Sequence, residues 1–156
     1  GVRAQVGGAT PRRRRGIRRR REGAEGERVI VADQLLAHLA GDYVLQSDWM
    51  AREKTSRIAV ALAHALCYSL PFLFLRPSLA AWLVIVGTHA TIDRFRLARY
   101  IVWAKEWLSP TRPPPLAECP TGYPADKPAW LAVWLLILAD NTMHVAINGA
   151  ALKWLP

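Results

Sequence analysis

The sequence predicts an all-α fold: a polytopic membrane bundle of about four short helices behind a disordered basic tail. Three observations carry that expectation. Apolar residues make up 52% of the 156, yet the formal charge is +9. That charge is concentrated: residues 1–28 hold ten arginines and almost no large apolar side chain, whereas long apolar stretches dominate from Val29 onward. One stretch, Ile58–Leu75, runs 18 residues without an Asp, Glu, Lys or Arg. Soluble core helices rarely stay apolar on every side for so long, while a hydrocarbon core of about 30 Å needs roughly that many residues to cross.

Taken in order, the tail (1–28) cannot bury enough surface to offset the entropy of ordering it, and reads as disordered. No apolar h-region follows its arginines, so no signal peptide is expected there. Because the chain starts with Gly, a processed remnant or translated upstream sequence is one reading of the tail. Its charges suit anionic lipid or a topology signal. It lacks the interleaved aromatics of a nucleic-acid arm, so no specific nucleic-acid partner is expected.

Residues 29–156 read as one membrane domain. A first helix, about 29–49, is apolar but interrupted by Asp33, His38 and Asp42. A second, about 57–76, carries His64 and Pro71, and a kink is expected at the proline. A third, about 79–103, passes through His89 and Asp93 into a basic stretch, and a fourth spans about 128–152. Between the last two, residues 109–128 contain seven of the eleven prolines, which predicts an extramembrane loop with its PPP run as a rigid spacer. Trp49, Trp82, Trp130 and Trp154 fall near helix ends, where an amphipathic ring favours the headgroup level, although ordinary cores also place Trp there. Cys67 and Cys119 have no metal-type spacing and read as bystanders.

Every histidine lies in an apolar segment, and three of the four have an Asp four residues away: His38 with Asp42, His89 with Asp93, and Asp140 with His144. Positions i and i+4 share a helix face, so each pair offers an imidazole and a carboxylate in one direction. With a rise of about 1.5 Å per residue and a core of about 30 Å, His38, Asp42, His64, His89 and Asp93 fall roughly 8–15 Å below one membrane face. Asp140 comes out about 18 Å down and His144 about 24 Å, the outlier unless the last helix starts later than Pro128. Ionised groups at such depth cost at least a few kcal/mol and persist when paired or functional.

Three uses of the seven side chains His38, Asp42, His64, His89, Asp93, Asp140 and His144 stay open at this point. They form a metal site, interhelical hydrogen bonds that hold the bundle, or an ion path. Imidazole with carboxylate suits zinc, manganese or iron, and seven candidates exceed one tetrahedral ion, which implies two ions or outer-sphere partners. Hydrolysis of a lipid-linked ester or phosphodiester is the reaction class that fits, with the general base drawn from Asp42, Asp93 and Asp140. Gln46, Asp48, Asn141 and Asn148 lie near the same layer. Arg94 and Arg96 sit beside Asp93, placed to pair with it, to bind an anionic headgroup, or to snorkel to the interface. No Ser nucleophile elbow, Gly-rich phosphate loop or HExxH occurs.

The string LLAHLAGDYVLQSDWMAREK (Leu35–Lys54), with His64, THATID (Thr88–Asp93) and the Asp140/His144 pair, resembles a family of small bacterial and phage integral-membrane proteins of unknown function. That family carries LLxHLxxDFxLQ-like, HxxxD-type and DQxxH-like motifs. The resemblance covers about Val29 to Leu152, omitting the Pro-rich loop. Tyr43 stands where the family has Phe, and Asn141 where it has Gln. What it implies is the membrane fold, a multi-pass protein of the bacterial inner membrane, and weight on the His/Asp positions; it implies no reaction. It also makes the arginine tail look foreign.

Orientation turns on that tail. With it, 12 basic residues lie on the side of the termini against 9 on the other; without it the balance becomes 2 against 9 and favours the loops inside. The sequence also leaves open a site closed across a homodimer.

Overall fold

The computed structural model describes residues 31–155; the arginine-rich tail expected over 1–28 lies outside them. Among the described residues the chain is all-helical. The first helix, α1, runs over 31–39 and ends in a π-helical turn, Ala40–Val44. It buries Gln34, Ala37, His38 and Gly41, a single stripe at helical spacing. The expected continuation to Trp49 does not form: the chain bends at Leu45 and restarts as a short helix, α2 (Asp48–Glu53). The reason is local. Ser47 is extended, and its side chain accepts a hydrogen bond from the Met50 amide, capping α2 as a separate helix.

The long apolar segment forms α3 (Ile58–Ser69), which tightens into a 3-10 helix over Leu70–Leu75 with Pro71 in its first turn. The change of helix type there replaces the expected kink, because proline lacks the amide that an α-helical continuation would use. Val60, Ala61, His64, Ala65, Tyr68 and Phe72 make its buried face. Helix α4 (Leu79–Phe95) is capped by Ser78 and buries Ala81, Ile85, His89 and Asp93. The expected third helix, about 79–103, is in fact two. Arg96 takes a left-handed conformation, with φ 52° and ψ 47°, and its amide returns to the carbonyls of Ile92 and Asp93. A second helix, α5 (Leu97–Lys105), then leaves in a new direction and packs on the last one.

The loop after α5 folds back on that helix instead of acting as a free spacer. Trp103 donates to the Pro114 carbonyl at 2.9 Å, and Lys105 donates to the Tyr123 hydroxyl. Gly122, at φ 87°, comes so near α5 that a Cβ there would lie 2.4 Å from the Arg99 carbonyl. Within this loop Cys119 and Tyr123 are buried, Tyr123 against Val102 and Ala132, and both cysteines are free.

Helix α6 (Ala129–Trp154) is 26 residues, roughly 39 Å long, and packs against α4 and α5. Among the described residues two helices are long and apolar enough to cross a membrane, Ile58–Leu75 and Ala129–Trp154. The other two expected spans fall short for the reasons given: α1 breaks at Leu45, and α4 stops at Arg96. Below the polar layer, Ala37, Tyr68, Phe72, Ala81, Ile85 and Ala151 join α1, α3, α4 and α6 into one apolar cluster. This cluster fixes the helix faces that carry the polar side chains.

Candidate metal centre

Four helices each deliver part of one buried polar cluster. Helix α1 can come close to α3 because residue 41 is glycine: a Cβ there would sit 2.6 Å from both the Tyr68 ring and the Tyr68 carbonyl oxygen. The π-helical turn at the same place, closed by the Leu45 amide on the Ala40 carbonyl at 3.0 Å, carries Asp42. Such turns are rare, and they frequently mark functional positions. Asp42 lies 3.7 Å from its expected partner His38 and closer to the imidazoles of α3 and α4.

The centre itself is made of Asp42, His64, His89 and Asp93. His64 Nε2 and His89 Nε2 approach to 2.9 Å. Asp42 Oδ1 lies 3.3 Å from the first and 3.5 Å from the second, and Asp93 Oδ2 lies 3.2 Å from each. Metal bonds of about 2.0–2.1 Å in a tetrahedron put neighbouring ligand atoms about 3.3–3.4 Å apart. The observed separations bracket that edge. Two imidazole nitrogens at 2.9 Å also repel through their lone pairs unless a proton or a cation stands between them.

Asp93 faces two ways. Its other oxygen, Oδ1, lies 3.5 Å from His144 Nε2, which is 3.4 Å from Asp140 Oδ2. Asp93, Asp140 and His144 therefore form a second group that shares Asp93 with the first. The shared carboxylate joins the two groups into one continuous cluster. His144, the depth outlier in the sequence reading, is at the centre after all. Its ring centroid is 4.3 Å from that of His89, and α6, at 26 residues against 17 for α4, extends well past its neighbour, so depth cannot be counted from its start.

The residues fit a divalent cation on two grounds besides spacing. Asp42 Oδ1 and His144 Nε2 are buried with no hydrogen bond, and Asp93 Oδ2 has none of good alignment although Lys54 Nζ is 2.8 Å away. Buried polar atoms left in this state are costly, and an ion satisfies several at once. Charge agrees. With neutral imidazoles, as ligation requires, three carboxylates face one ammonium, and the two remaining negative charges match one divalent ion. The far nitrogens of His64 and His89, both Nδ1, have no hydrogen-bond partner among the described residues. The orienting carboxylate or carbonyl common behind a metal-bound imidazole is thus replaced here by packing. Tyr68 stacks on His89 with centroids 3.6 Å apart and 11° between the planes.

Of the seven expected ligands the structure brings six together, and His38 stands apart. Both its ring nitrogens are engaged: Nδ1 with the Tyr68 hydroxyl at 2.8 Å, and Nε2 with Asn141 Oδ1 at 3.1 Å. The network has one consistent direction. Asn148 Nδ2 donates to the Tyr68 oxygen at 2.6 Å, the Tyr68 hydroxyl donates to His38 Nδ1, and His38 Nε2–H donates to Asn141 Oδ1. Asn141 Nδ2 in turn donates to the Tyr43 hydroxyl at 2.8 Å. His38 is thereby committed to holding Tyr68 under the centre.

Sequence reasoning missed two residues. Tyr68 lies four residues after His64 on the same face, so the rule that found the His/Asp pairs reaches it when extended to tyrosine. Lys54 ends the string on which the family resemblance rests, and no i and i+4 pattern marks it. Its ammonium joins Asp93 at 2.8 Å, Gln46 Oε1 at 2.7 Å and His64 Nε2 at 3.3 Å. The arginines beside Asp93 do not pair with it. Arg94 donates to the Thr55 carbonyl at 2.6 Å and Arg96 to the Pro120 carbonyl at 3.3 Å. Asp48 forms an exposed pair with Arg52 at 2.9 Å, away from the centre.

A cavity of about 300 Å³ opens over the cluster. Asp42, Asp93, Asp140 and Lys54 form part of its wall, with Arg96, Arg99 and the apolar Ile92, Leu136 and Ile137 among its other lining residues. The centre is thus reachable from the side where α1 ends and α6 begins.

Neither the curated proteins nor the solved structures yield a match to this chain. A family model does match, over residues 30–113, a span that holds His38, Asp42, Lys54, His64, His89 and Asp93 and stops short of Asp140 and His144. The chain belongs to that family, the proteins of unknown function designated DUF3307.

Proposed function

We propose that the protein is a multi-pass membrane protein whose His/Asp cluster holds a divalent metal ion and serves metal-dependent hydrolysis of a lipid-linked ester. The observation that carries this is the convergence of His64 Nε2, His89 Nε2, Asp42 Oδ1 and Asp93 Oδ2 at 2.9–3.5 Å, from α1, α3 and α4. A divalent ion supplies Lewis acidity and a nucleophile from water at neutral pH. The chain's own groups do the rest. Asp140, less buried than the other carboxylates and lining the cavity, is the candidate general base, and Lys54 is placed to meet negative charge that develops during attack.

The membrane setting is supported by what the bundle leaves uncovered. Leu36, Val44, Leu79 and Phe74 are each more than 60% exposed. Only 11% of the apolar window in α6 is buried. Soluble monomers rarely expose contiguous apolar surface on this scale, whereas lipid covers it without cost.

Elemental analysis of detergent-purified protein tests the reading. Zinc, manganese or iron at one or two ions per chain, lost in His89→Ala, is the expected result. A folded protein free of metal after growth in metal-replete medium would overturn it and leave a scaffold whose His/Asp pairs are structural.

A further inference from the structure

The proposed metal centre leaves the reacting group unspecified, and the cavity above it carries that information. Three cationic side chains line it, Lys54, Arg96 and Arg99. Lys54 already balances part of the carboxylate charge, and one divalent ion would balance the remainder, so Arg96 and Arg99 are in excess. Arg99 Nε is buried with no hydrogen-bond partner, although its guanidinium also lies 5.4 Å over the Tyr100 ring. Arg96 owes its position to a left-handed backbone conformation that is unfavourable for a non-glycine residue. Without that turn, α4 would continue, and the following helix could not bring Arg99 to the cavity. A pair of guanidiniums beside a metal centre matches a group with about two negative charges and several acceptor oxygens, and guanidinium forks match phosphate geometry. The apolar part of the lining, Ile92, Leu136 and Ile137, offers a wall for a hydrocarbon chain.

Resting on the metal-hydrolase reading above, we infer that the cavity recognises the phosphate of a lipid phosphate ester, with Arg96 and Arg99 holding the phosphoryl oxygens over the Asp42/Asp93/Asp140 floor. Arg99 is a binding residue in this scheme.

The test uses the full chain in detergent, loaded with metal, and three probes: dioctanoyl phosphatidic acid, dioctanoylglycerol and inorganic phosphate. Calorimetric titration is expected to detect the phosphatidic acid and not the diacylglycerol. Arg99→Gln should weaken that binding by about tenfold or more, as expected for a lost charge-assisted hydrogen bond, while metal content stays as in the wild type. Arg99→Lys, which keeps the charge and the fold but not the fork, should fall between the two. Equal binding of diacylglycerol, or unchanged affinity in both Arg99 variants and in Arg96→Gln, would overturn the assignment. Inorganic phosphate bound as tightly as phosphatidic acid would overturn its lipid half. Metal content on the same samples separates the two readings: phosphatidic acid held through Arg99 by metal-free protein sinks the metal centre alone, and metal-loaded protein indifferent to phosphate sinks the present inference alone.

Discussion

Two polar layers lie against each other in this bundle, built from the same kinds of residue, and they differ in one respect. Around Tyr68, the side chains of His38, Asn141 and Asn148 close a directed set of hydrogen bonds. Beside it, Asp42, His64, His89, Asp93 and His144 crowd their polar atoms together at 2.9–3.5 Å, and Asp42 Oδ1 and His144 Nε2 have no hydrogen bond. The first layer is complete as it stands and needs nothing further. The second gathers groups that could hold a divalent cation. Burial does not separate the two, since His38, His64 and His89 are all fully buried. What separates them is whether each acceptor faces a donor or another acceptor.

The comparison breaks most visibly at Asp93, whose two oxygens serve both ligand groups. Asp93→Asn should lower divalent-metal affinity more than about 100-fold, beyond what loss of an outer-sphere partner causes, and should remove the fall in Tm that a chelator produces in the wild type. Metal analysis and a chelator-dependent melt in detergent read both effects.

Gly41→Ala attacks the approach of α1 to α3 on which both layers depend. The added methyl meets the Tyr68 backbone, which cannot swing aside, so a loss of about 3 kcal/mol is expected in thermal or denaturant unfolding. A Tm equal to wild type would mean that α1 and α3 are not packed as described.

Tyr68→Phe sharpens the contrast with the smallest effect. It keeps the ring stacked on His89 and deletes the hydroxyl, leaving His38 Nδ1 and Asn148 Nδ2 without their partner. A loss of about 1–2 kcal/mol with metal content unchanged is expected. Loss of the metal in this variant would show that the two layers are not separable.

Much of the site was legible in the chain because helical spacing is local physics. The i and i+4 rule placed His89 with Asp93 and Asp140 with His144, both pairs that the structure keeps together. The rule also placed His38 with Asp42, 3.7 Å apart, but did not foresee the π-helical turn that carries the carboxylate still closer to His64 and His89. It also could not find Lys54, whose ammonium reaches the cluster from a separate short helix.

By itself the sequence determined that this chain is helical, that its apolar stretches are long, and that imidazoles and carboxylates share helix faces, because composition and periodicity act over one or two turns. Only tertiary structure decided where helices break, as at Ser47 and Arg96, and which imidazole nitrogens meet a carboxylate and which a tyrosine. Those outcomes depend on donors and acceptors from segments as many as 103 residues apart, as for His38 and Asn141, and no local pattern encodes how such groups pair.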